Sequence, residues 1–167
     1  LPARAYGDAT SIRNFYQRAI EELRALPGSR GAGAAAADLL NPARGRLFVV
    51  KNPAVPAAVS SHAEVLGDYF HAVGIPLRRG RLFDSRDRPG SEPVLVINET
   101  LARRFFPGQD PLGQQIKLGS RQSTDPWYTI AGVVADSRND GLVKEVRPQT
   151  YEAYAQMDDA SVRTRGN

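Results

Sequence analysis

Two rhythms of apolar and polar positions alternate along this chain, and both occur in one stretch, PVLVINETLARRFFPGQDPLGQQIKL, from Pro93 to Leu118. Val94-Leu95-Val96-Ile97 is a continuous apolar run, which predicts a strand buried on both faces. Asn98 stands where its side-chain oxygen can cap a helix, and Glu99 puts a negative charge in the first turn. Leu101, Ala102, Phe105 and Phe106 then form one apolar stripe at helical spacing, with Arg103 and Arg104 opposite. Pro107-Gly108 ends the helix, Asp110-Pro111-Leu112-Gly113 is a turn, and Gln115-Ile116-Lys117-Leu118 alternates as a half-buried strand does.

The same reading extends along the chain. From Asp8 to Leu26, Ile12, Phe15, Ala19, Leu23 and Leu26 step by three or four, widened by Tyr16 and Ile20, and predict the longest helix. Ser29 to Leu40 carries conflicting signals, because its alanines favour helix and Gly31 and Gly33 oppose it. Leu47–Val50 predicts a short strand, Ala57–Glu64 alternates weakly as a strand, and Leu66–Val73 predicts a two-turn helix closed by Gly74. Ile75–Phe83 reads as extended, Asp84–Glu92 as a polar loop, and Trp127–Val134 as a strong strand. Thr150–Tyr154 alternates as a strand, and Ser161–Arg165 has the start of another.

Composition narrows the class. An apolar fraction of 41% and a charged fraction of 24% over 167 residues are those of a globular protein with a real core. No apolar run approaches the roughly 18 residues of a membrane span, and no signal peptide opens the chain. Leu1-Pro2-Ala3-Arg4 reads as the middle of a longer polypeptide. The formal net charge is +4, and the basic residues are scattered in pairs such as Arg78-Arg79, so no nucleic-acid partner is expected. There is no cysteine, which removes disulfides, thiolate metal sites and cysteine nucleophiles together.

Candidate chemistry is thin. His62 and His71 lack the spacing of a helical zinc pair. Asp84, Asp87 and Glu92 share a loop, but Arg86 and Arg88 interrupt what a calcium loop would need, so these charges are expected to pair with one another. Ser60-Ser61-His62 lacks the strained turn of a nucleophile, and Gly31-Ala32-Gly33 lacks the third glycine of a dinucleotide fingerprint. Glu99 follows a buried strand where α/β enzymes place active groups. Glu99 and Asp136 are therefore the acid/base candidates of an enzymatic alternative, against their ordinary roles at a helix start and in a turn. The expectation is that no residue is catalytic, none binds a cofactor and none binds a metal.

The order of several segments resembles a known family. They are Tyr6-Gly7-Asp8 with Phe15-Tyr16 and Leu26-Pro27-Gly28; Asp68-Tyr69-Phe70 with the run Gly74 to Arg81; Val96 to Ala102 with Phe106-Pro107-Gly108; Asp110-Pro111-Leu112-Gly113; Ile130 to Val134 with Asp136; and Arg147-Pro148. Together they resemble the MacB-like periplasmic core domain of FtsX-like ABC-transporter permeases, in particular the duplicated permeases of the Acidobacterial type. The resemblance implies an α+β fold of mixed sheets in two small lobes. One is porter-like, mainly residues 1–60, and incomplete here; the other is β-rich and inserted, mainly 61–155; residues 156–167 return toward the first. It implies a non-enzymatic extracytoplasmic domain that passes ATP-driven movement to a periplasmic substrate or partner. Its partners would be the permease's own transmembrane helices, through them an ABC ATPase subunit, and a periplasmic adaptor or a second permease copy. A small-ligand or lipid-binding module is the other non-enzymatic alternative, with Phe70, Phe83 or Trp127 as candidate cavity walls.

Overall fold

The computed structural model describes residues 8–36, 45–137 and 145–166. Its elements are α1 (Ala9–Ala25), β1 (Gly33–Ala36), β2 (Arg46–Val50), β3 (Ala58–Gly67), α2 (Tyr69–Ala72), β4 (Leu77–Gly80), β5 (Val94–Asn98), α3 (Glu99–Phe105), β6 (Gln115–Leu118), β7 (Trp127–Val134), β8 (Gln149–Ala153) and α4 (Asp159–Gly166). The fold is α+β with a mixed sheet.

The sheet closes on itself. Its path runs β3–β2–β6–β7–β5–β8, and β8 returns to pair with β3, so six strands form a ring. The β3–β8 and β5–β7 pairs are parallel, and the other ring pairs are antiparallel. β1 pairs with the far end of β3 (Ala34 opposite Leu66), and β4 pairs with β7 beyond the reach of β6.

Register sorts the side chains into two faces, because neighbours along a strand point opposite ways. Leu95 pairs with Glu152, Ile97 with Thr150, Phe48 with Leu118 and Val50 with Ile116, so all of these share the inner face. Most of that interior is apolar: Phe48, Val50, Leu95, Ile97, Ile116, Leu118 and Ile130 pack together, and Leu101 and Phe106 close on them from α3 and its end. Each such side chain stabilises the fold by about 1.5–3 kcal/mol through burial. The outer face of β3, β5, β7 and β8 is covered by Tyr69, Phe70 and Ile75, which pack on Ala63, Val65, Val96, Val134 and Tyr151. A third cluster joins Ala9 and Ile12 of α1 to Tyr154, Met157 and Val162 of the chain's end.

Several local expectations change. The alanine-rich segment forms β1, a strand, because pairing with β3 overrides helix propensity. Gly33 also lets α2 approach β1 closely: a Cβ there would lie 2.4 Å from the Tyr69 backbone nitrogen. The helix expected from Leu66 is only Tyr69–Ala72, since Leu66 and Gly67 complete β3 and Gly67 turns out of it at φ +67. Ser161–Arg165 lies in helix α4, not a strand, with Asp158 accepting from the Ser161 backbone N–H at 2.7 Å as its cap. Leu23 and Leu26, expected on the covered stripe of α1, are 51% and 57% exposed, and the buried positions of the helix are Ala9, Ile12 and Ile20. The turn residues Asn139, Asp140 and Gly141 lie outside the described residues.

Candidate functional site

Two polar constellations are built into the fold. The first centres on Asn98, fully buried at the carboxyl end of β5. Its Oδ1 accepts from the backbone N–H groups of Leu101 (3.0 Å) and Gln149 (2.9 Å). Its Nδ2 donates to Asp136 Oδ1 (2.8 Å) and to the Arg147 carbonyl (3.0 Å). One amide thus caps α3 and ties β5 to the start of β8 and to the segment after β7. Asp136 works with it, since its Oδ1 accepts from Thr100 N–H and its Oδ2 from Thr100 Oγ1, both at 2.8 Å. Glu99 Oε2 accepts from Asp136 N–H at 3.4 Å and its Oε1 lies 3.6 Å from Arg78 Nε. The two acid/base candidates therefore sit together at one helix start, and both satisfy backbone donors there. That arrangement answers the carboxylates' presence without chemistry.

The second constellation fills the polar side of the ring interior. Ser60, His62 and Glu64 occupy alternate inward positions of β3, opposite Arg46 on β2 and Thr150 and Glu152 on β8. The side chains of His62, Glu64 and Glu152 are 6%, 1% and 7% exposed. His62 Nε2 lies 3.1 Å from Glu64 Oε1 and 3.5 Å from Glu152 Oε2. Thr150 Oγ1 lies 3.0 Å from His62 Nδ1 and 3.1 Å from Ser60 Oγ. Tyr128, reaching across from β7, donates its hydroxyl to Glu152 Oε1 at 2.8 Å. Burial, reinforced by the Glu152 charge, raises the Tyr128 pKa and keeps that donor protonated. Arg46 Nη1 is 3.4 Å from His62 Nε2 and 3.9 Å from Glu152 Oε2.

In the sequence His62 has no partner at helical spacing. At strand spacing Ser60, His62 and Glu64 form a polar stripe, and the sequence does not say that this stripe faces inward. Glu152, 88 residues on from Glu64 in the chain, became its neighbour only through the β3–β8 pairing.

The remaining candidates are dispersed. Arg81 grips Asp87 with both terminal nitrogens at 2.7 and 2.8 Å, and Asp87 is buried. Arg86 pairs with Asp84 and, by hydrogen bonding to it, holds that carboxyl far below the usual carboxylate range. Glu92 instead accepts from Thr129 Oγ1 at 2.7 Å. Within the loop Asp84 and Arg86 pair with each other, whereas Asp87 is buried against Arg81 and Glu92 bonds to β7, so the expected self-pairing holds for one carboxylate of the three. Phe70 and Phe83 do line a common cleft of about 480 Å³, whose rim carries Arg24, Asp68 and His71. Trp127 is elsewhere, with Lys117 Nζ 5.2 Å from its ring centre.

The model of the MacB-like periplasmic core domain matches residues 5–165, nearly the whole chain. The chain belongs to this family. A macrolide export ATP-binding/permease protein, MacB 2, of Aeromonas hydrophila is 30% identical over 122 residues, which is 72% of this chain and 18% of that protein. A MacB of Agrobacterium fabrum is 40% identical over 68 residues, 38% of this chain and 10% of that protein. The chain therefore spans less than a fifth of these relatives. Among solved structures, the periplasmic region of MacB from Actinobacillus actinomycetemcomitans shares the fold with a TM-score of 0.58 at 19% identity, over 83% of this chain and 55% of that one. The extracellular domain of the noncanonic ABC-type transporter YknZ from Gram-positive bacteria aligns with a TM-score of 0.56 at 16% identity, over 83% of this chain and 62% of that one.

Proposed function

We propose that this MacB-like domain is the extracytoplasmic part of an ABC-type permease and works mechanically, without catalysis of its own. It receives movement from the permease's transmembrane helices, driven by an ABC ATPase, and passes it to a periplasmic substrate, adaptor or second permease copy. The family match over residues 5–165 carries this reading. Among the described residues no helix is long and apolar enough to cross a membrane. The ring adds physical support. Strands from near residue 50 and near residue 150 are hydrogen-bonded into one closed sheet, which resists shear and moves as a body. The division into a porter-like part, mainly 1–60, and a β-rich part, mainly 61–155, belongs to the same proposal. α1 and β1 lie in the first span, and four of the six ring strands lie wholly in the second.

The test uses the intact permease in a membrane. Spin labels at exposed Arg88 and at exposed Val59 report the domain's position and its internal geometry. Nucleotide exchange from ADP to ATP should shift Arg88 relative to the bilayer and leave the Arg88–Val59 distance unchanged. A domain that holds one position through the ATPase cycle would overturn the proposal. The cleft of Phe70 and Phe83 favours the ligand-binding reading instead. That reading requires Phe83→Arg to abolish binding of an apolar fluorescent dye.

A further inference from the structure

The polar side of the ring interior is a donor set arranged around a point. We propose that His62, Glu64 and Glu152 form a binding site for a divalent transition-metal ion of the zinc class, with Arg46 as the displaceable counter-ion at its edge. One ligand atom from each of the three residues falls within 4.8 Å of the other two. The closest approaches are 3.1 Å, from His62 Nε2 to Glu64 Oε1, and 3.5 Å, from His62 Nε2 to Glu152 Oε2. Tetrahedral ligands on bonds of about 2.0–2.1 Å stand about 3.3 Å apart, which those two separations bracket. One imidazole nitrogen and two carboxylate oxygens suit zinc, manganese or ferrous iron, whereas calcium and magnesium prefer all-oxygen sets.

The surrounding hydrogen bonds orient the ligands as metal ligands are oriented. Thr150 Oγ1 engages His62 Nδ1 at 3.0 Å, so the ring presents Nε2 to the carboxylates. The Tyr128 hydroxyl occupies Glu152 Oε1, so Oε2 is the oxygen on the His62 side. These outer contacts come from β7 and β8, part of the packed ring, and pre-position the donors.

Arg46 is the one described cation among them, and it explains how the site is balanced. A guanidinium 3.4 Å from Nε2 competes with a metal for the same negative field. Its side chain is 31% exposed, and its Nη2 is 3.9 Å from Asp125, a carboxylate outside the cluster. Arg46 can therefore turn onto Asp125 as an ion enters. His62 and Glu64 lie on β3 and Glu152 on β8, so a bound ion would pin the parallel pair that closes the ring. The site does not depend on the mechanical role proposed above.

The experiment is equilibrium dialysis of the full chain against Zn²⁺, with elemental analysis and an unfolding curve. The expected result is one ion retained per chain and a higher unfolding midpoint, because a ligand held only by the folded state stabilises it. Arg46→Ala should bind about ten-fold tighter once the competing charge is gone. Glu152→Gln should reduce retention to the background of an unrelated protein. Cobalt loading of the unmutated chain guards against variants that fail to fold, since nitrogen–oxygen coordination at a tetrahedral site gives intense visible bands. No retained ion, unchanged retention in Glu152→Gln, or cobalt spectra like those of the free aqueous ion would each overturn the proposal.

Discussion

Asn98 shows how much one side chain can organise. A cap alone predicts a loss of about 0.5–2 kcal/mol on replacement by alanine. The structure adds two partly buried bonds from Nδ2 and one buried bond from the Gln149 N–H. Asn98→Ala is therefore expected to cost about 3 kcal/mol or more, because several buried groups lose their partners at once. Urea unfolding measures it, and a loss under about 1 kcal/mol would mean that water replaces the amide. Tyr151 gives a prediction in pH. Burial pushes its phenol up to about 12, so the folded state keeps a proton that the unfolded chain releases near pH 10. The contribution is complete below about pH 10 and is lost as pH rises toward about 12, at about 1.4 kcal/mol per pH unit for this group. Tyr151→Phe should flatten that alkaline slope in denaturant titrations.

Among the elements, β4 and β7 depend on absent side chains. A Cβ at Gly132 would lie 2.2 Å from the Arg81 carbonyl oxygen, and one at Gly80 would lie 2.2 Å from the Ala131 carbonyl oxygen. Gly132→Ala should cost roughly 3 kcal/mol by forcing β4 off β7, and loss of amide-exchange protection confined to Leu77–Gly80 would locate the damage. For α4, whose Asp158 cap also accepts from Ser161 Oγ, Asp158→Ala should lower stability by about 1 kcal/mol. The sequence pattern of Ser161–Arg165 is too short and weak to distinguish this helix from a strand. The aspartate that caps it and the contact of Val162 with α1's cluster decide the matter. For β1, where the local signals conflict, pairing with the edge of β3 decides in favour of a strand.

For the molecule as a whole, ring closure has a thermodynamic consequence. Opening one pair in a closed sheet exposes the common interior of all six strands, so the ring should unfold as a unit. Trp127, the only tryptophan, lies in β7 and reports the ring, while far-ultraviolet circular dichroism reports α1 as well. Coincident transitions are expected by both probes, and Leu95→Ala should move both together, losing about 2–5 kcal/mol. Separate transitions would instead support two independently stable lobes.

The residues of the chain alone determined the strand, cap and helix of Val94 to Phe105, the long helix after Asp8 and the self-paired charges of Asp84 and Arg86. All are local, set by periodicity, capping and neighbours a few positions apart. The ordered segments also carried the resemblance to the family that the match over residues 5–165 establishes. Closure of the sheet was decided only in three dimensions, because strand pairing at long range leaves no mark in local pattern. The same is true of the pairing of His62 and Glu64 with Glu152. A polar stripe on one strand is read as solvent-facing until other strands are known to lie opposite it, and it is the pairing of β3 with both β2 and β8 that turns Ser60, His62 and Glu64 inward.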